Sequence, residues 1–338
     1  MEPKTEQIQL ALMGVGRWGT HLLRNFLAHP QIQVRAIVDP RPQQRAAIAE
    51  KFNLDQSIAL LDHWQEALSL DGLTAIAVAT PATTHEAIVT AALERQLHVL
   101  CEKPLTLTGA TSSKLCQLAQ QQNRQLFIDH TYLFHPAVIT AKNHLDQLAT
   151  PRYGYASRTN LGPVRHDVDA LWDLAIHDIA IFNHWLGDSP TRVQAHGLQW
   201  LQRPQALADV VWCRLHYASG FEATIHVSWA NTHKQRQVSM VCDRGSLIFD
   251  EMQASSPLTL QRGHPAPETF HPQNLETVSL AVPDQEPLAT MCQHFVNSTL
   301  TNQPCPISSG HVGTQLVAVL EALSQSLGQQ GSWIDLNQ

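Results

Sequence analysis

Residues 7–13 form a short apolar run that ends in the turn Gly14-Val15-Gly16-Arg17-Trp18-Gly19. Apolar positions then recur at helical spacing from Trp18 to about Ala28, and Ile32–Val38 reads as a second strand ending at Asp39. The alternation continues with a helix over 42–52, a strand near Ser57–Ala59, a helix around His63–Leu70 and an apolar strand at Leu73–Ala79. A helix over 84–96, a strand over 97–101, a helix over 108–123 and a strand over 125–129 complete the series. Strands that alternate with helices of about 10–15 residues predict βαβ units, hence a parallel sheet with right-handed crossovers.

Beyond about residue 150 the pattern changes. Arg152–Thr159 is strand-like, and one strong helix is predicted from about Asp169 to Leu186. Five runs then mix β-branched and aromatic residues with polar ones: Arg192–Gly197, Asp209–Tyr217, Phe221–Ser228, Gln237–Cys242 and Ser246–Phe249. Strands that follow one another without helices predict an antiparallel sheet. The stretch 252–285, rich in Pro, Ser, Thr and His, reads as loop, while Glu286–Asn302 and Gly310–Leu327 read as helices. The expected class is α/β. A doubly wound parallel sheet of the Rossmann type fills residues 1–129, and residues 130–338 hold an α/β domain with a large, mostly antiparallel open sheet.

Composition narrows the function classes. A chain of 338 residues suggests two domains, since single cores stop growing beyond about 250–300 residues. The net charge of −7 gives no global basic field for nucleic acid or an anionic membrane. A dinucleotide needs no such field, because helix N-termini and backbone amides neutralise phosphate locally. Six scattered cysteines with no Cys-x-x-Cys pair read as reduced thiols. Nineteen histidines include no His-x-x-x-His or His-Glu-x-x-His spacing, so no metal site is expected. No apolar run approaches the roughly 20 residues of a membrane span, and the polar start lacks a secretory layout, so the expected address is the cytoplasm.

Three clusters carry candidate chemistry. The turn Gly14–Gly19 has the Gly-x-Gly-x-x-Gly spacing between a strand and a helix, which suits a pyrophosphate. Asp39 lies twenty residues after Gly19, where a carboxylate accepts hydrogen bonds from an adenosine ribose and repels a 2′-phosphate. Arg41, two residues on, could serve a 2′-phosphate, so NAD is favoured with NADP not excluded. The second cluster, Thr80-Pro81 with His85 and Glu102-Lys103-Pro104, stands at later strand ends, where open α/β sheets bind ligands. Lys103 there is either a charge stabiliser for a substrate oxygen or a solvated loop lysine. In the third, Asp173 and His177 are four apart on a strongly apolar helix. They read either as a carboxylate-tuned general base or as a histidine merely satisfied by its neighbour.

Together these segments resemble the Gfo/Idh/MocA family of NAD(P)-dependent sugar and polyol oxidoreductases. The likeness is carried by Gly14–Gly19, Ala79-Thr80-Pro81 with Thr84-His85, Glu102-Lys103-Pro104 and Asp173-x-x-x-His177-Asp178. Ser228-Trp229, Lys234-x-Arg236 and the helix from Gly310 extend it over essentially the whole chain. The resemblance implies a cofactor site at Gly14, Gly16, Arg17, Trp18, Gly19, Asp39, Thr80, Pro81, His85, Glu102 and Lys103. It implies that Lys103 lies near nicotinamide and substrate hydroxyl, that His177 is the acid/base and that Asp173 orients it. Arg165, in Asn160-Leu161-Gly162-Pro163-Val164-Arg165, is a candidate clamp for a substrate phosphate or carboxylate, or a surface arginine. His130 either lines the substrate site or packs at a hinge.

The function expected is hydride transfer between nicotinamide and a secondary alcohol of a sugar, polyol or nucleotide-sugar. The second domain would bind this small substrate and assemble a homodimer or homotetramer through its sheet. Two rival readings are a non-catalytic dinucleotide sensor or regulator, and a reductase of an imine or tetrapyrrole on the same scaffold.

Overall fold

A computed structural model describes residues 7–201 and 207–336. It contains two compact units. One comprises the described residues as far as Thr131 together with Glu286–Val317; the other comprises Tyr132–Gln285 and the residues from Ala318 on.

In the first unit, β1 (Ile8–Met13) leads into α1 (Arg17–Ala28), followed by β2 (Ile32–Val38), α2 (Pro42–Phe52), β3 (Ala59–Leu61) and α3 (Trp64–Ala67). Next come β4 (Ala75–Val78), α4 (His85–Glu94), β5 (His98–Glu102), α5 (Gly109–Gln121) and β6 (Leu126–Asp129). These strands form one sheet in the order β3-β2-β1-β4-β5-β6, with every pairing parallel. β1 and β4 are fully covered by helices, which is why Leu10–Met13 and Ala75–Val78 are apolar without alternation. Because all six strands run the same way, the Gly14 turn, Asp39, Thr80, Lys103 and His130 all lie at one edge of the sheet. The order reverses between β1 and β4, the point where such sheets open a crevice.

The second unit starts with α6 (Pro136–His144), β7 (Pro151–Leu161) and α7 (Ile176–Leu186). β8 (Pro190–Leu198), β9 (Val210–Tyr217), β10 (Glu222–Ser228), β11 (Ala230–Cys242) and β12 (Gly245–Asp250) follow, then β13 (Leu258–Pro265) and β14 (Pro272–Ser279). With β15 (Ile334–Asp335) they make a nine-stranded sheet ordered β14-β13-β12-β11-β7-β10-β9-β8-β15, in which only β7 and β10 pair in parallel. α8 (Pro287–Thr301) belongs to the first unit, and α9 (Gly310–Gly328) starts in the first and ends in the second.

Several elements differ from the sequence reading. The stretch 252–285 is not loop: it holds the hairpin β13–β14. β14 is exposed along almost its whole length, so no hydrophobic alternation marks it. Residues 286–317, assigned above to the second domain, pack with the first. There Phe295 meets Phe127 edge to face at 5.8 Å, Arg24 pairs with Glu286, and the Ile128 amide donates to the Ser308 carbonyl at 2.9 Å. A helix returning over a long insertion leaves no local signal. The expected helix over Asp169–Leu186 opens instead with a π-helical turn at Leu171–Ala175.

Candidate functional site

The glycine turn of the first unit is built by exclusion. Gly14 takes φ +90°, and a Cβ there would stand 2.7 Å from the Ala79 carbonyl oxygen at the end of β4. A Cβ on Gly19 would stand 2.1 Å from the Gly14 carbonyl oxygen, so this glycine lets α1 lie directly on the turn. Gly16 is different: a Cβ there meets nothing within 4 Å. Its bareness serves no neighbour in the chain and leaves the backbone open to approach. No side chain caps α1 at Gly16, so its first-turn amides lack intrahelical partners. That combination fits a pyrophosphate.

Asp39 is buried beside the turn. Its carboxylate accepts the Val15 amide at 3.2 Å and the Arg41 guanidinium at 2.8 Å through each of Nε and Nη2. Burial raises its pKa, but the bonds from Arg41 and Val15 outweigh this and hold it below the usual carboxylate value. Arg41 is thus folded onto Asp39 while most of its side chain stays exposed. Replacing Asp39 with serine should weaken NAD binding by about 10–100-fold, the worth of a hydrogen bond to a charged group, and narrow the preference over NADP. Titration calorimetry with both dinucleotides checks this; unchanged NAD affinity would remove Asp39 from the site.

The later strand ends hold a dense polar cluster. Trp18 of α1 donates its indole N–H to Asp129 at 2.9 Å, and Asp129 also accepts from the Thr131 amide at 3.0 Å and from its hydroxyl. Glu102 and Asp129 face each other in register on β5 and β6. Burial, then the Asp129 charge, push the Glu102 carboxyl well above its usual range. His130 is buried, neither ring nitrogen has a hydrogen-bond partner among the described residues, and burial with the Lys103 charge lowers its pKa to about 3. Lys103 is half-buried, and its charge acts on both Glu102 and His130. His85 is a tie between loops: its Nδ1 lies 3.0 Å from the Pro104 carbonyl oxygen and its Nε2 lies 2.9 Å from that of Thr80. Arg17 and Pro81 are exposed.

In the second unit, every residue from Leu171 to Phe182 is buried except Asp173 and His177. The π-helical turn holds Asp173 and His177 follows directly on α7, so the two are the part-exposed positions of this stretch. Such turns change the residues per turn and occur often at functional sites. Asp173 accepts from Arg165 at 3.4 Å and from the Trp229 indole at 3.2 Å. Arg165 is chiefly engaged by Asp167, at 2.9 and 2.6 Å. Its guanidinium therefore meets two carboxylates of its own chain.

Behind His177 lies a buried ion pair. Arg158 of β7 donates to Asp178 at 3.1 Å from Nε and 2.6 Å from Nη2, both side chains being almost wholly inaccessible. The ring of Tyr132 lies 4.2 Å from the Arg158 guanidinium and 4.9 Å from the His177 ring, and its hydroxyl donates to Glu251 at 2.7 Å. Arg158, Tyr132 and Glu251 escape the sequence reading, and Trp229 enters it only as part of the family likeness. The available signal was Asp178 itself, a charged residue in a buried helix, which demands a partner. Among the described residues one trio with metal-ligand atoms comes together, the exposed Asp62, His63 and Glu66. No helix among the described residues is long and apolar enough to cross a membrane.

Comparison with known proteins adds the following. Residues 8–130 match the model of an oxidoreductase family with an NAD-binding Rossmann fold, GFO_IDH_MocA, and residues 140–248 match the GFO/IDH/MocA C-terminal domain. The UDP-N-acetylglucosamine 3-dehydrogenase of Acidithiobacillus ferrooxidans is 28% identical over 200 residues, 56% of this chain and 58% of that protein. The scyllo-inositol 2-dehydrogenase (NAD(+)) of Bacillus subtilis is 25% identical over 203 residues, 56% of this chain and 57% of that protein. The chain thus matches less than two thirds of the length of either relative. Levoglucosan dehydrogenase, solved with NADH and L-sorbose, shares the fold with a TM-score of 0.84 at 18% identity, over 98% of this chain and 100% of that one.

Proposed function

The chain belongs to the Gfo/Idh/MocA oxidoreductase family, with its NAD-binding Rossmann domain, and from that premise we propose that it is a dehydrogenase acting on a secondary alcohol of a sugar, polyol or nucleotide-sugar. The observation that carries this reading is the polar opening in the buried helix, where Asp173 and His177 alone of Leu171–Phe182 are part-exposed. Holding a carboxylate and an imidazole there is costly unless they are used.

When bound, NAD supplies the hydride acceptor or donor. His177 takes the proton of the substrate hydroxyl in the oxidative direction and returns it in the reductive one. Lys103 is given the role of stabilising negative charge that develops during the reaction. Asp173, anchored by Arg165 and Trp229, fixes the electrostatics around His177. Gly14, Gly16 and Gly19 with the first turn of α1 receive the pyrophosphate, and Asp39 takes the ribose.

The two relatives act, by their names, on a nucleotide-sugar and on an inositol. Both are rings bearing secondary alcohols, which supports the substrate class. A cytoplasmic setting belongs to the same proposal, since reduced thiols are stable there. So does a homodimer or homotetramer through the nine-stranded sheet, a reading supported by the exposed Tyr153, Tyr155 and Trp212 on β7 and β9. Sedimentation equilibrium tests the assembly.

The activity is tested by following NAD reduction by ultraviolet absorbance against sugars, inositols and UDP-sugars. We expect turnover with at least one class. Tight NAD binding with no turnover on any of them would favour a sensor instead.

A further inference from the structure

We propose that Tyr132 is a positioning residue for His177, a reading that rests on the role given to His177 above. Tyr132 is the first residue of the second unit, and its ring is held by three different chemistries. The Arg158 guanidinium lies 4.2 Å from the ring centroid, a cation–π contact. The hydroxyl donates to Glu251 at 2.7 Å, which tethers the far end of the ring. The third neighbour is the imidazole of His177, 4.9 Å away between centroids and tilted by 53°.

These contacts close on themselves. Arg158, which carries the ring, is itself fixed by two donors to Asp178. Asp178 is the next residue after His177 in the chain. The circuit therefore runs from the His177 imidazole to Tyr132, to Arg158, to Asp178 and back through one peptide bond to His177. It constrains the imidazole at its ring and its backbone at once. A histidine at a half-buried opening otherwise has two side-chain torsions to distribute, and only some settings aim a given nitrogen at a substrate hydroxyl. The aromatic wall removes settings without taking a hydrogen bond from the ring. That matters for a group that must accept and release a proton.

What counts here is the planar ring. Its hydroxyl and its hydrophobic bulk are secondary, and this separates the proposal from a packing role. The test uses the full-length chain with carbon-13-labelled histidine, and His177→Gln identifies the His177 signal by its loss. The aromatic ring current displaces that signal in the wild type. Tyr132→Leu should shift it towards the position of an unstacked imidazole, and Tyr132→Phe should leave it near the wild-type position. Misplacement of a reacting group by about 1 Å costs up to about 100-fold in rate. Tyr132→Leu should accordingly lower kcat by about 10–100-fold with little change in the KM for NAD, and Tyr132→Phe should restore most of the loss.

If Tyr132→Leu does not fold, Tyr132→Met, which keeps apolar bulk without a planar ring, carries the same two measurements. The proposal fails if a folded Leu or Met variant keeps its kcat. It also fails if the His177 signal does not move, or if Phe is as impaired as Leu. A wild-type chain that oxidises no alcohol refutes the reading of His177 instead; the His177 signal still reports whether the ring holds the imidazole.

Discussion

Lys103→Met and His177→Ala should each lower kcat by about 10²–10⁴-fold, the usual worth of one charge-stabilising group or one general base. The dissociation constant of NAD should meanwhile change by less than about 3-fold, well under 1 kcal/mol. Methionine keeps the unbranched stem of Lys103 and removes only the ammonium. That ammonium already acts on its surroundings, since with burial it lowers the pKa of His130 to about 3. The dinucleotide is expected to be held elsewhere, by the glycine turn and Asp39, which is why binding should survive. The double variant should fall short of the product of the two single losses, because the effects of residues that serve one chemical step are not additive. Stopped-flow turnover with isothermal titration of NAD separates the two effects. Near-normal kcat in both variants would remove these residues from the chemistry. Intact kcat with lost NAD binding is equally incompatible with the assignment.

The sequence makes the first unit easier to read than the second, for a physical reason. Strands covered on both faces, such as Leu10–Met13 and Ala75–Val78, announce themselves as apolar runs, and the glycines between them have steric duties that no other residue can meet. Asp39 and Lys103 are legible because a parallel sheet forces every strand end to one edge. β14 is not legible, since a strand wet on both faces has no period to detect. α8 looks helical from its spacing, but nothing local says that it returns to pack on the first unit. At the candidate site, Asp173 and His177 stand out against apolar neighbours, while the partners of Asp173 do not. Arg165 lies eight residues upstream and Trp229 fifty-six downstream, and only the folded sheet unites them. The four-residue spacing that suggested one helical face also crosses a π-helical turn, which no propensity reveals.

The Arg158–Asp178 pair should show the largest effect on stability, and an asymmetric one. Removing one partner of a buried ion pair leaves a bare charge and costs about 3–5 kcal/mol. Arg158 is 1% exposed and Asp178 is 0% exposed, so water rescues neither. Their escape routes differ, however. Burial already pushes the Asp178 carboxyl above its usual range in spite of Arg158. In Arg158→Met that carboxyl can take up a proton and become neutral, and the nearby Arg236 charge eases what remains. In Asp178→Asn the guanidinium has no such exit, because arginine does not deprotonate in proteins. Asp178→Asn should therefore be the more damaging of the two. The sign of the pH dependence follows from the same argument. In Arg158→Met the folded state binds the Asp178 proton more tightly than the unfolded chain does, so the variant should recover stability as the pH falls from neutral and lose it as the pH rises. Urea unfolding followed by tryptophan fluorescence, at neutral and mildly acid pH, measures both. Equal losses with no pH dependence would mean that water or a shifted side chain replaces the missing partner. The double variant Arg158→Met/Asp178→Leu should regain most of the stability, since apolar pairs often substitute for buried ion pairs at no net cost. It should not regain turnover, because Tyr132 then loses the cation that holds its ring beside His177. Full turnover in a stable double variant would show the pair to be a folding element alone.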